Sequence, residues 1–162
     1  MGDGDERLNL EALAIQLGIA GKGQEEIGTV EFSGWLAQAE CAARLKRADC
    51  LVLPSLLECG GAVVLEAMSM GKPVIATAWG GPLDYLDQSC GVLIPPQSRE
   101  SMVDGFSAAM VEMARSGERR RSLGANGMAK VRREYDWESK ADRMLVIYLE
   151  AVGQHRTAPS AR

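Results

Sequence analysis

Two glutamates separated by seven residues, Glu58 and Glu66, stand in the stretch PSLLECGGAVVLEAMSMGKPVIATAWGG at residues 54–81. Glu58 follows a continuous apolar run, CLVL at 50–53. Such a run reads as a strand buried on both faces of a parallel sheet, and open parallel sheets bind ligands in the crevice at the C-terminal ends of their strands. Gly60 and Gly61 come next, so the backbone can approach a ligand with no Cβ in the way. A helix is expected from about Gly61 to Met70. The free N–H groups and partial positive charge at its start suit a phosphate or a developing oxyanion. Glu66 lies on that helix with Val63, Ala67 and Met70 at i−3, i+1 and i+4, an apolar setting that turns it partly toward the core. A carboxylate placed there needs hydrogen-bond donors, and a ligand with two adjacent hydroxyls would supply them. The plainer alternative is an exposed helix glutamate, or a buried one bonded to backbone.

Other chemistries find less support. The four cysteines, Cys41, Cys50, Cys59 and Cys90, form no C-x-x-C pair, and the single histidine, His155, lies near the C-terminus. No metal site is expected from such spacing, nor a triad or Cys–His dyad, which needs a histidine inside the fold. The cysteines read as small hydrophobes buried in a protein of the reducing cytosol. A balance of 18 basic against 22 acidic residues, net −4, speaks against a generic nucleic-acid binder. No apolar run approaches ~20 residues, and the opening MGDGDERLNL carries no signal-peptide pattern. No transmembrane segment is therefore expected, and a cytoplasmic location is. The glycines of GDGDER lack the third member of a dinucleotide fingerprint and no strand precedes them; no Walker lysine motif is present.

These residues need a scaffold, and the chain of 162 residues is of one-domain length. Helical and strand patterns alternate, which predicts an α/β parallel sheet. Residues 5–17 read as a helix with Gly18 as its stop. Residues 19–28 read as a loop, 29–32 as a short strand and 37–47 as a helix. After the 50–53 strand, Gly71 and Pro73 end the glutamate-bearing helix. Strands at 73–77 and 91–94 flank the loop AWGG at 78–81 and a short helix opened by Pro82. Asp84 and Asp87 read as charge complements to that helix start. The last third is helical: 99–115, with the stripe Met102, Phe106, Met110 and Met113 facing the core; 118–134, whose Arg119, Arg120 and Arg121 read as a solvated face; and a helix capped by Asp136, with Trp137, Ala141, Met144, Leu145 and Tyr148 on its inner side. A disordered tail is expected over 153–162.

The pattern S-L-x-E-x-x-G-x-x-x-L-E-A-M-x-x-G-x-P-V-I-A-T resembles the signature of retaining GT-B glycosyltransferases, the "glycosyl transferases group 1" family. GDGDE at 2–6, VEFSGW at 30–35, ADCLVLPS at 48–55, GVLIPP at 91–96 and YDW before the last helix lie where that family places similar segments. The resemblance covers roughly residues 1–152 and implies a partial nucleotide-sugar-binding domain: a Rossmann-like sheet in the C-terminal half of a GT-B fold, N-terminally truncated. It implies the donor-binding part of an enzyme that moves a sugar, with retention, from a nucleoside diphosphate sugar to an acceptor hydroxyl. Glu58 takes the catalytic position beside the donor sugar. The amides of Gly60, Gly61 and Ala62 take the donor-binding backbone, and Glu66 the ribose hydroxyls. Trp79, Gly80 and Gly81 also border the crevice, either as further donor contacts or as loop packing. No metal or other cofactor is implied, because helix dipole and basic side chains carry the diphosphate charge. The family commonly has Gly-Phe-Gly after the first glutamate, where this chain has Cys59, Gly60 and Gly61. Its acceptor-binding N-terminal domain and the basic loop opening the donor domain are not recognisable here. The implied partners are thus a nucleotide sugar and an acceptor domain or partner chain, and the isolated chain is expected to be inactive in transfer. A non-catalytic nucleotide-sugar-binding fragment or scaffold is the alternative.

Overall fold

The computed structural model describes residues 3–21 and 29–157. The chain divides between Leu45 and Lys46 into two compact units. In the first unit, α1 (Arg7–Gln16) ends on Gly18, whose φ of 67° takes the left-handed region. The amide of Gly18 donates to Ile15 O and that of Ile19 to Ala14 O, the paired bonds that satisfy a helix C-terminus. Arg7 holds this unit together by bonding Glu11 and Asp3 on its own side and Phe32 O across the turn. The strand expected at 29–32 reduces to one isolated bridge, Val30 beside Ala20. Four residues of alternating polarity with no second ladder partner give too little pairing to extend. Residues 22–28 of the expected loop lie outside the described residues. A second helix, α2 (Gln38–Arg47), crosses the division between the units.

The second unit is built on a three-stranded parallel sheet in the order β1 (Leu51–Leu53), β2 (Val74–Thr77), β3 (Gly91–Ile94). The register sets Leu51 beside Val74 and Val74 beside Gly91. Parallel neighbours need crossovers; α3 (Ala62–Ser69) supplies the first and the short α4 (Pro82–Tyr85) lies in the second. Only β2 is buried along its whole length. β1 was expected to be covered on both faces, yet it is half-buried, because it is an edge strand of this sheet.

On one face, Ile75 and Ile94 pack with Phe106, Ala109 and Met113 of α5 (Arg99–Arg115) and Leu123 of α6 (Gly117–Glu134). The expected stripe on α5 is thus core at Phe106 and Met113, half-buried at Met102 and exposed at Met110. Ser98 caps α5 by accepting from Ser101 N and returning the bond through its own amide. By strand alternation Val74 and Ala76 face the other side, and both are fully buried. There α3 and α6 pack so closely that a Cβ on Gly124 would lie 2.0 Å from Gly71 O, while Gly127 faces Met68 and Cys90.

Two other expectations change. Arg120 is no solvated arginine: its guanidinium donates to Met113 O and Ala114 O and pairs with Asp49. The last helix, α7 (Trp137–Thr157), is opened by Asp136, which accepts from the amides of Glu138 and Ser139 as expected. Its supposed inner face is nevertheless exposed, Trp137 to 87%. The helix also takes in residues 153–157 of the expected tail; the remaining tail residues lie outside those described. Among the described residues no helix is long and apolar enough to cross a membrane.

Candidate functional site

The site forms where the loops leaving β1 and β2 meet the start of α3. Pro54 ends β1 and the chain turns through an exposed Leu56–Leu57 pair to Glu58. Glu58 is half-buried, and its Oε1 accepts the amide of Gly61 at 2.7 Å. This bond pins the carboxylate at the head of α3, where the positive end of the helix favours negative charge. Gly61, the N-cap residue, has φ 62°, and a Cβ there would also press on Pro82 Cδ at 3.2 Å. Glycine is required on both counts.

The amides expected to receive a ligand therefore divide. Gly61 N–H is already engaged by Glu58. Those of Gly60, Ala62 and Val63 have no protein partner among the described residues, which leaves the first turn of α3 open to an anion. Gly60 is exposed, and a Cβ on it would meet nothing within 4 Å.

Glu66 lies further along α3 and is exposed, not turned toward the core as its neighbours suggested. The buried stripe of α3 is Val64, Ala67 and Met68, at i, i+3 and i+4. Glu66 falls two positions from Val64, on the opposite side. Its carboxylate makes no hydrogen bond or ion pair among the described residues, while its carbonyl accepts from Ser69 Oγ at 2.7 Å and from the Met70 amide.

The loop after β2 completes the site by close backbone approach. A Cβ on Gly80 would lie 2.2 Å from Glu58 O, and one on Gly81 2.1 Å from Gly60 O. Gly80 also has φ 60°. The two loops touch only because both residues lack side chains. Trp79, just before them, is 51% exposed. All eight residues singled out from the sequence thus fall within the loops after β1 and β2 and helix α3.

What sequence reasoning missed is how this arrangement is held. Asp87 lies past the end of α4, so it does not serve the helix start. It accepts from Lys130 Nζ at 2.7 Å and from the Ser89 amide and hydroxyl. Tyr135 Oη donates to Asp84 O at 2.7 Å, and its ring stands edge-on to Tyr85. The partners are separated by 43 and 51 residues, so no local pattern announces them. The hydrogen bonds from Lys130 and Ser89 hold the Asp87 carboxyl well below the usual carboxylate range. Its stabilising effect is therefore complete above the unfolded-state pKa of ~3.9 and is lost as pH falls through the lower folded-state value. Lys130→Met is expected to cost ~1 kcal/mol or less at pH 7, the pair being partly exposed, and to flatten the acid limb of stability. Urea unfolding midpoints measured from pH 7 down to pH 2 check this; an unchanged acid limb contradicts it.

The cysteines are not uniformly buried. Cys90 is, and burial pushes the Cys50 thiol up to about 11. Cys59, beside Glu58, is exposed. Among the described residues no three His, Cys, Asp or Glu side chains gather as metal ligands.

Comparison with known proteins adds a family and a fold. Residues 1–130 match the family described as glycosyl transferases group 1. A D-inositol 3-phosphate glycosyltransferase of Mycobacteroides abscessus is 31% identical over 153 residues, 94% of this chain and 31% of that protein. The chain thus spans about a third of the length of that relative. Among solved structures, sucrose-phosphate synthase from Thermosynechococcus elongatus matches with TM-score 0.66 and 29% identity, over 95% of this chain and 36% of that one. HepE of Anabaena, solved in complex with UDP-glucose, matches with TM-score 0.64 at 20% identity, over 93% of this chain and 38% of that one. The shared architecture is the α/β fold of the C-terminal half of GT-B glycosyltransferases.

Proposed function

Since this chain belongs to the glycosyl transferases group 1 family, we propose that it is the donor-binding part of a retaining glycosyltransferase, taking a nucleoside diphosphate sugar. The observation that carries the reading is the head of α3: a carboxylate pinned by Gly61 N–H and, with no partner among the described residues, the amides of Gly60, Ala62 and Val63 and the carboxylate of Glu66 on the same helix.

In this reading the diphosphate rests on the open amides and the helix dipole, without a divalent ion. Glu66 takes the two ribose hydroxyls, both of which donate to it. Glu58 faces the donor sugar. Its bond to Gly61 fixes one oxygen and leaves the other to stabilise positive charge developing at the sugar ring as the bond to diphosphate breaks. The effect is electrostatic and is largest in the transition state. Trp79, Gly80 and Gly81 form the opposite lip, with the indole available to cover the sugar or base.

Transfer also needs an acceptor held at attacking distance, a positioning worth ~7–11 kcal/mol of barrier. The residues named here provide the donor side. The 162-residue chain is accordingly expected to bind nucleotide without giving acceptor-dependent product.

Isothermal titration with uridine diphosphate and adenosine diphosphate in the presence of EDTA tests the proposal. One-site binding of either supports it. Absence of binding by the folded chain to both removes it. Binding that appears only when a divalent ion is restored removes the metal-independent part.

A further inference from the structure

We propose that residues 80–89 act as a strut, gripped at one end by Asn126, Lys130 and Tyr135 of α6 and its C-cap, and holding the Glu58–Gly61 loop in place at the other. Tyr135, Lys130 and Asn126 are then positioning residues for the donor site, although none of them lies on its loops. The functional consequence rests on the donor-site reading above; the mechanical one does not.

The gripped end has three side-chain bonds from one helix and the residue closing it. Asn126 Nδ2 donates to Ser89 O at 2.9 Å, Lys130 Nζ to Asp87 at 2.7 Å and Tyr135 Oη to Asp84 O at 2.7 Å. The Tyr85–Tyr135 edge contact, with centroids 5.3 Å apart, and Lys140 over the Tyr135 ring reinforce the grip. The middle of the segment is stiff. Leu83 N bonds Gly80 O, Asp84 N bonds Gly81 O and Leu86 N bonds Pro82 O, a continuous helical turn with proline at its start.

The other end bears on the site. Gly80 and Gly81 lie against the carbonyls of Glu58 and Gly60 with no space for a Cβ, and Pro82 packs against Gly61. A displacement of α4 is therefore passed to the very backbone that presents Glu58 and the open amides. The same α6 holds α3 through Gly124 and Gly127. One helix thus bears on both halves of the site, on the C-terminal end of α3 directly and on the Glu58 loop through the strut.

The test uses the full 162-residue chain and two readouts. Amide resonances of Gly60 and Gly61 are followed in ¹⁵N-glycine-labelled protein, and the dissociation constant for uridine diphosphate is measured by calorimetry. In Lys130→Met/Tyr135→Phe the Gly60 and Gly61 resonances are expected to shift or broaden and the dissociation constant to rise at least fivefold. Lys130→Arg, which keeps the ion pair, is expected to stay within twofold of the parent. Tyr135→Phe alone, which removes one hydroxyl and leaves the ring, provides a variant that folds if the double substitution does not, and is expected to show the same resonance changes in smaller measure. Unchanged Gly60 and Gly61 resonances in the folded variants overturn the strut. If the parent binds no nucleotide, the donor-site reading fails, while the glycine resonances still decide the strut.

Discussion

Replacing Glu66 by alanine is expected to weaken binding of a nucleoside diphosphate at least tenfold while leaving the melting temperature in place. The side chain is exposed and bonds nothing among the described residues, and surface substitutions of that kind change stability by only ~0.5 kcal/mol or less. Hydrogen bonds from ribose hydroxyls to a carboxylate are charge-assisted, each worth ~1.5–3 kcal/mol, so loss of two exceeds a factor of ten. Paired calorimetric titrations and thermal melts of parent and variant separate the two effects. Equal affinity in parent and variant removes Glu66 from the site. A large drop in melting temperature assigns it a structural role that its exposure does not suggest.

Gly124→Ala is expected to destabilise the chain, although alanine is the better helix former by ~1 kcal/mol. The added Cβ would lie 2.0 Å from the carbonyl oxygen of Gly71. That oxygen belongs to the backbone at the end of α3, so it cannot rotate away as a side chain would. Relief requires α3 and α6 to separate and to loosen Met68 and Gly127 with them. Overpacking of this kind costs ~1–3 kcal/mol, a fall in Tm of roughly 2–12 °C for a chain of this size. Gly60→Ala is the control, because no atom lies within 4 Å of its Cβ position. The same substitution there is expected to be neutral or to raise stability by ~0.4–1 kcal/mol through the unfolded chain. Melts showing Gly124→Ala as stable as the parent would mean that the two helices do not meet at this point.

The elements that carry the candidate site were legible in the sequence because their signals are local. An apolar run ended by proline gives a strand, two glycines followed by an apolar stretch give a helix start, and Gly71 with Pro73 gives its stop. The structure places β1, α3 and β2 within a residue or two of those readings. Where local pattern was asked to decide direction it did less well. Glu66 has apolar neighbours on its own helix face, yet only contact with α6 and the sheet determines that Val64, Ala67 and Met68 are the buried ones. The last helix carries a plausible apolar face at Trp137, Met144, Leu145 and Tyr148, but amphipathic spacing says only that a face wants cover, and here it is exposed. Likewise CLVL identifies a strand, while its half-burial follows from its place at the edge of the sheet.

The sequence by itself determined the α/β order of elements, the position of Glu58 after a strand and the glycine-rich entry to α3, since proline, glycine and apolar runs act on the backbone within a few residues. It also carried the family resemblance, which rests on the same short stretch. Only the tertiary structure decided that Gly80 and Gly81 lie on the backbone of Glu58 and Gly60, and that Lys130 and Tyr135 reach residues 43 and 51 positions away. Such contacts depend on how the sheet brings distant loops to one end and how closely two glycine-bearing helices can pack, and no local periodicity encodes either.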